Sequence, residues 1–510
     1  MSSGRRGGRN RIAPSRSPNR SAAYRQLQHP FAAQQEFSDD EIADIHRTAL
    51  RVLHELGIKF LLPEARQLLA KAGALVDEAT QMVRIGSDLV AEALSTAPRA
   101  WRMRAPNPDR DQDVNAQALL FYPGAGCPNT IDRKRGRVPG SLQSYQETLK
   151  LQQSFDVIHC LGPSAEPQDI PPHLRHYAMT QNQMVLADKP MFVYARGQAQ
   201  TQESMDMIKL GLNLSDDEFA QDVWCLTVIN TNSPRQVDMP MAQGIIDFAR
   251  AGQLSIITPF CLAGAMAPVT VAGALVLQHA EALAAITLAQ MVRSGAPVMY
   301  GGFASNVDMK SGAPAFGTPE HIRFSIGSGQ LARHIGLPWR SAVGAASNTP
   351  DMQAGNETSM SLWAALMGNA NLIVHSAGWL EGGLSFGYEK FINDVEALQT
   401  IAELCAPCPA DAGALAWEAL QEVQPGGHFF AAGHTMARYA DAFYEPLVAD
   451  LRNFETWADD GAQTSAQRAT RIWQSILADF QPPKASGDIA ERLAPFVEAR
   501  TKAGGAPPAS

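Results

Sequence analysis

The sequence is poor in the residues from which common enzyme motifs are built. Six cysteines (Cys127, Cys160, Cys225, Cys261, Cys405 and Cys408) are scattered over 510 residues, a pattern expected of reduced thiols in a cytoplasmic protein and not of a disulfide framework. Cys405-Ala-Pro-Cys408 lacks the second Cys-x-x-Cys that a four-ligand zinc site needs, so it is expected to pack. No HxH, HExxH, phosphate-binding G-x(4)-GK[ST] or nucleophile elbow occurs, and no GxGxxG follows a strand-like run. Lys189 stands before a predicted strand instead of at its end, which leaves Schiff-base chemistry without its residue. Long apolar runs are missing too. The stretch from Leu262 to Val292 is broken by Gln278, His279, Glu281 and Gln290, so it predicts a buried helix and no membrane span.

Acid is absent from the first 25 residues, which carry seven arginines. The net charge of the whole chain is −9, so the remainder is close to −16. Arginine and serine enrichment also marks transit peptides, but the glycines and prolines here spoil an amphipathic helix. Residues 1–36 are expected to form a basic arm, extended or disordered, that lies on the body or on a partner. Nucleic-acid binding is not expected, because the arm has no interleaved aromatics and the body is acidic.

What is present is a 45 % hydrophobic chain long enough for a large barrel and an extra lobe. Ser38-Asp-Asp-Glu41 reads as a capping box that opens a helix ending near Gly57, and residues 37–115 predict an N-terminal helical lobe with one short hairpin. From residue 116 to 408 short apolar runs recur at intervals of roughly 30–40 residues: ALLFY at 118, DVIHCL at 156, MFVY at 191, VWCLTVI at 223, SIITPF at 255, PVMYGG at 297, PWRSAV at 338 and NLIVH at 371. Helical segments separate them. Eight such units predict a (β/α)8 TIM barrel, with an open doubly wound sheet as the alternative. Residues 409–510 are expected to be a C-terminal helical extension and tail.

In such barrels chemistry sits at the C-terminal ends of the strands. These ends offer Tyr122 and then Asp132, His159 and Cys160, Tyr194 and Arg196, Asn230 and Asn232, Phe260, Tyr300 and Phe303, Arg340, and finally His375 with Trp379. Only His159, Asp132 and His375 are placed to bind a metal, and none is predicted. The rim is aromatic. Tyr122, Tyr194, Phe260, Tyr300, Phe303, Trp379, Phe386 and Tyr388 suit a quaternary ammonium, which cannot donate a hydrogen bond but is attracted to ring faces. His375 and Arg340 suit a carboxylate. A betaine carries both groups.

Several long segments also resemble one family. The run GAMAPVTVAGALVLQHAEALAAITLAQMVRSGAPVMYGG, then DMQAGNE and LIVHSAGWLEGGLSFGYEKFINDVE, together with the earlier TIDRKRGRVPGSLQSYQE and RRGGRN, are similar to the trimethylamine methyltransferase superfamily, a methanogenesis-related group. The resemblance implies a (β/α)8 barrel that transfers a methyl group from a methylated amine to the cobalt of a separate corrinoid protein. Trimethylamine members carry pyrrolysine. This sequence has ordinary residues throughout and resembles instead the members acting on quaternary amines such as glycine betaine, carnitine or choline. By that resemblance Asp132, Asn230 and His375 contact the substrate, no catalytic acid or base is needed, no cofactor is bound permanently, and a soluble cytoplasmic homo-oligomer is expected. A methylated-amine binding or sensing protein without methyl transfer, and a metal-dependent barrel lyase or hydrolase, are the alternative readings.

Overall fold

A computed structural model describes residues 24–509. The first 23 residues of the basic arm lie outside the described residues. The end of the arm runs along the body: Leu27–Gln28 pairs antiparallel with Leu119 and Ala118, and Arg25 donates to the Ala402 carbonyl and to Glu403.

The centre is a curled sheet whose parallel strands are β1 (Ala118–Phe121), β2 (Met191–Phe192), β3 (Cys225–Ile229), β4 (Leu254–Ile257), β5 (Val298–Gly301), β6 (Trp339–Ala342) and β7 (Leu372–Val374). They lie in the order β1-β7-β6-β5-β4-β3-β2, and Leu27–Gln28 adds an eighth, antiparallel strand beside β1. Apolar residues on one face of these strands, among them Leu120, Leu226, Ile256, Met299, Leu372 and Val374, form one buried cluster inside the curl.

The second predicted strand is corrected here, because residues 156–161 form none. The imidazole of His159 takes the place of a ladder partner: its Nδ1 accepts from the Phe121 amide at 3.0 Å, while the His159 amide donates to the Phe121 carbonyl. On the other side the Leu161 amide donates to the Pro190 carbonyl, just before β2. The segment therefore lies between β1 and β2 with a side chain doing part of the backbone's hydrogen bonding.

Helices follow each stave and cover the sheet. In chain order α1 is Asp39–Arg51, α2 Leu142–Gln153, α3 Arg175–Leu186, α4 Gln198–Leu212, α5 Met239–Ala251, α6 Val271–Val292, α7 Pro319–His334, α8 Met352–Met367 and α9 Tyr388–Leu404. The predicted capping box opens α1, with Ser38 and Glu41 satisfying each other's amides. α6 is long and apolar enough to cross a bilayer, but it is a core helix with 78 % of its apolar window buried. The N-terminal lobe is less helical than its sequence suggests: Ile58–Phe60, Leu75–Asp77 and Met82–Arg84 form a small sheet that also takes in Gln236–Val237 from the loop after β3. Near the C-terminus α10 (Ser465–Asp479) packs on α9 and α11 (Ser486–Lys502) packs on α3 and α4.

Several histidines are held as neutral rings in this framework, among them the fully buried His159 and His321 and the half-buried His29 and His46. Burial, as the largest cause, lowers His29, His46 and His321 to about 4 and His159 to about 3, from an ordinary 6.5. The unfolded chain thus binds more protons than the folded one below pH 6.5, so this stability is present above that pH and is lost as pH falls towards 4. Urea midpoints at pH 7.5 and pH 5 are expected to differ by an amount corresponding to several kcal/mol, on the order of 1.4 kcal/mol per pH unit for each of the fully buried His159 and His321 and less for the half-buried His29 and His46, which solvent screens.

Candidate functional site

A cavity of about 540 Å³ opens at the C-terminal ends of the strands, a size that holds a small organic ligand. Its lining includes Tyr122 after β1, Phe192 and Tyr194 at and after β2, Asn230, Thr231, Asn232 and Ser233 after β3, Phe260 after β4, Phe303 after β5, Arg340 in β6 and His375 after β7. Of the predicted site residues, Asn230, His375, Tyr194, Phe260, Phe303 and Arg340 come together here.

Three do not line it. Asp132 ends an Asn129–Asp132 strand outside the main sheet, where its carboxylate caps the following turn by accepting from the Lys134 and Arg135 amides and pairs with the Arg135 guanidinium. Burial opposes ionisation there, but Arg135 and the two amides hold the carboxyl below its ordinary range. Tyr300 faces the opposite side of β5 from Met299, and its hydroxyl meets His279 and Gln278 of α6. Trp379 stands behind the wall, stacked on His375 with ring centroids 4.8 Å apart at 21°. Phe386 and Tyr388, also expected in a cage, lie in the Ser385–Gly387 strand and at the start of α9.

The aromatic lining forms two groups. Tyr122, Phe192 and Tyr194 follow one another at 6.1 and 4.5 Å between centroids, and Phe260 and Phe303 pair at 4.9 Å. No aspartate or glutamate is among the lining residues. Two guanidiniums are. Arg196 pairs at two points with Glu166, a carboxylate it shares with Arg175, and lies over the Tyr194 ring at 4.5 Å.

Arg340 differs. It is 1 % exposed, its Nε and Nη1 have no hydrogen-bond partner, and no carboxylate among the described residues pairs with it. Burial lowers its pKa to about 9, which leaves it charged at neutral pH. Tyr122 Oη and His375 Nδ1 are likewise buried without partners. The remaining guanidinium nitrogen, Nη2, points at His375 Nε2 at 3.4 Å. An arginine can only donate, so Nε2 accepts and the ring proton sits on Nδ1. Burial and then the Arg340 charge keep His375 well below its ordinary pKa, hence neutral. Tyr122, Arg340 and His375, which all line one cavity, thus carry buried donors without partners, an arrangement that costs free energy.

The backbone at His375 is built for this. Its φ is +60°, a left-handed conformation that favours glycine and turns the chain sharply just past β7. Ser376 anchors the turn by donating through both its amide and its hydroxyl to the Tyr122 carbonyl. The Gly378 amide donates to Asp394 in α9. Phe192, Thr231 and Ser233 were not foreseen from the sequence. Phe192 is an interior strand residue, and the two hydroxyls follow Asn230 in a loop whose course depends on the N-terminal lobe: Lys59 donates to the Arg235 carbonyl and Leu61 to that of Val237. Among the described residues no group of three or more histidine, cysteine, aspartate or glutamate side chains could hold a metal ion.

Glycine betaine methyltransferase of Desulfitobacterium hafniense (strain Y51) is 33% identical over 467 residues, covering 91% of this chain and 97% of that protein. Trimethylamine methyltransferase MttB of Desulfitobacterium hafniense (strain DSM 10664 / DCB-2) is 29% identical over 472 residues, covering 91% and 93%. The crystal structure of the Methanosarcina barkeri monomethylamine methyltransferase (MtmB) superposes with a TM-score of 0.48 at 9% identity, covering 91% of this chain and 88% of that one. A profile of the family matches residues 3–505, and the chain belongs to the trimethylamine methyltransferase (MTTB) family.

Proposed function

We propose that this methyltransferase moves a methyl group from a quaternary amine bearing a carboxylate, glycine betaine or a related betaine or carnitine, to the cobalt(I) of a cognate corrinoid protein. The observation that carries the reading is Arg340, a buried guanidinium without a carboxylate partner in an aromatic cavity. A substrate carboxylate would pair with the Arg340 guanidinium, with the Tyr122 and His375 side chains beside it as further donors. The same charge would repel an ammonium from the floor, so the substrate enters carboxylate first with its N-methyl groups towards the mouth. Choline, which has no carboxylate, leaves all these donors unpaired and is disfavoured.

When docked, the corrinoid supplies the nucleophile. This chain's residues hold and orient the donor and exclude water. The amine that leaves a quaternary nitrogen is neutral and needs no proton, which fits a lining whose Tyr122 and Tyr194 are pushed above the ordinary tyrosine value by burial and whose His375 is held neutral. We also read the sheet as a closed (β/α)8 barrel over residues 116–408, with residues 158–161 as its irregular second stave, and the protein as a cytoplasmic homo-oligomer that covers Trp417, Phe430 and Tyr439, which are 65 to 81 % exposed.

Mixing the protein with glycine betaine and chemically reduced cobalamin is expected to yield methylcobalamin and dimethylglycine in equal amounts, and choline little of either. Thermal stabilisation by glycine betaine without methylcobalamin would instead favour a binding or sensing protein.

A further inference from the structure

Arg340, a cavity cation with no carboxylate partner among the described residues, has an anionic counterpart without a direct ion pair. Glu281, in the middle of α6, is fully buried, and no arginine, lysine or histidine among the described residues forms an ion pair with it. Its Oε2 accepts from the hydroxyls of Thr231 and Ser233, the latter at 2.7 Å, and its Oε1 accepts from the Arg235 amide at 2.7 Å. Burial, the largest cause, raises the Glu281 carboxyl above its ordinary value, and the Thr231 and Ser233 hydroxyls, the Arg235 amide and the Arg235 charge oppose it; three donors on two oxygens, with no acceptor for a carboxyl proton among them, are the surroundings of an ionised carboxylate. Thr231 and Ser233 themselves line the cavity, so the charge lies one hydroxyl behind the wall. Arg340 stands in β6, and the Thr231–Ser233 loop follows β3; β4 and β5 lie between them in the sheet.

We infer that Glu281 is the counter-charge for the ammonium end of the substrate, acting through the Thr231 and Ser233 hydroxyls as a positioning and specificity residue. The inference rests on the carboxylated-amine reading above. A carboxylate has no proton to give, so each hydroxyl must spend its single proton on Glu281 and turn its lone pairs elsewhere. The Cys261 thiol, 3.3 Å from Ser233 Oγ, then acts as the donor of that pair. What the loop presents to the cavity is therefore the negative end of two fixed dipoles backed by a full negative charge. The N-methyl groups of a quaternary ammonium carry its positive charge on C–H bonds, which such oxygens contact favourably. Arg340 at one side and Glu281 behind the other thus match the two ends of a zwitterion, and the second of them sets the end that reacts.

The test uses the full-length protein, glycine betaine, and 3,3-dimethylbutyrate, which replaces the charged nitrogen by carbon and leaves the shape and carboxylate alone. Glu281→Gln is expected to weaken glycine betaine binding, measured by calorimetry, about 10- to 100-fold, with the affinity for 3,3-dimethylbutyrate unchanged. An equal loss for both compounds would mean that Glu281 merely holds the loop, and no loss for either would mean that its charge is not felt; both overturn the inference. Should that variant fail to fold, Thr231→Val is expected to show the same selective loss to a smaller degree, and an equal loss for both ligands would again overturn it. Wild-type protein that binds neither compound would overturn the carboxylated-amine reading first, a result distinguishable from failure of the Glu281 assignment, in which wild type binds both.

Discussion

Replacing Arg340 by methionine is expected to weaken glycine betaine binding by two to three orders of magnitude while leaving the ligand-free protein as stable as before, or more stable. The first effect follows from truncating one partner of a desolvated, hydrogen-bonded charge pair, which costs about 2–5 kcal/mol. The second follows from the free protein, where Nε and Nη1 have no partner: a buried charge that pairs with nothing is a cost, and an apolar side chain of similar length removes it. Methionine also packs against Phe303, whose ring centre lies 5.2 Å from the guanidinium carbon. Calorimetric titration and thermal melts of the two proteins check both halves. A melt that drops sharply for Arg340→Met would show that the guanidinium serves the fold and would remove the main support for a carboxylate there. Lysine at this position keeps the charge but not the planar fork, so Arg340→Lys is expected to bind with intermediate affinity.

That Arg340 could be named from the sequence depends on two regularities, and the misses fail one of them. Strand ends were readable because runs such as SIITPF and NLIVH are short, apolar and evenly spaced, and the residues just past them, Phe260 and His375, do reach the cavity. Which side of a strand a residue faces is a finer matter, since a shift of one position exchanges the two faces. In β5, Met299 belongs to the cluster inside the curl and Tyr300 to the helical side; in β6, Arg340 faces the cavity while Ser341 bonds Ser325 in α7.

Asp132 lies away from the cavity for another reason. The residues after it, RKRG, form a tight turn closed by Gly136 at φ +69°, and an aspartate before such a turn commonly caps its amides; that signal was available in the sequence but competes with the expectation that every loop after a strand serves the site. His159 could not be foreseen as a ladder substitute, because its pairing with the Phe121 amide depends on how β1 and β2 are spaced. Glu281 was legible only as an interruption of an apolar helix. Its partners lie about 50 residues away and are brought to it by the small sheet of the N-terminal lobe.

The largest expected effect on folding lies behind the His375 loop. Lys390 and Asp394, one helical turn apart in α9, are 3 % and 5 % exposed; the ammonium contacts both carboxylate oxygens and the Thr358 hydroxyl at 2.6 Å, and Asp394 Oδ2 also accepts from the Gly378 amide at 2.8 Å. Asp394→Ala strands a buried ammonium and a buried amide together, a loss of about 3–5 kcal/mol, to be read as a lower urea midpoint. The same change frees Gly378, next to the Trp379 ring on which His375 stacks, so glycine betaine affinity should fall in the protein that still folds. Asparagine at 394 retains an oxygen for Gly378 but not the charge for Lys390. Asp394→Asn is therefore expected to recover affinity while remaining less stable than wild type, which separates the carboxylate's role in setting the loop from its role in neutralising the lysine. Recovery of stability without affinity would show that Gly378 is positioned by other contacts.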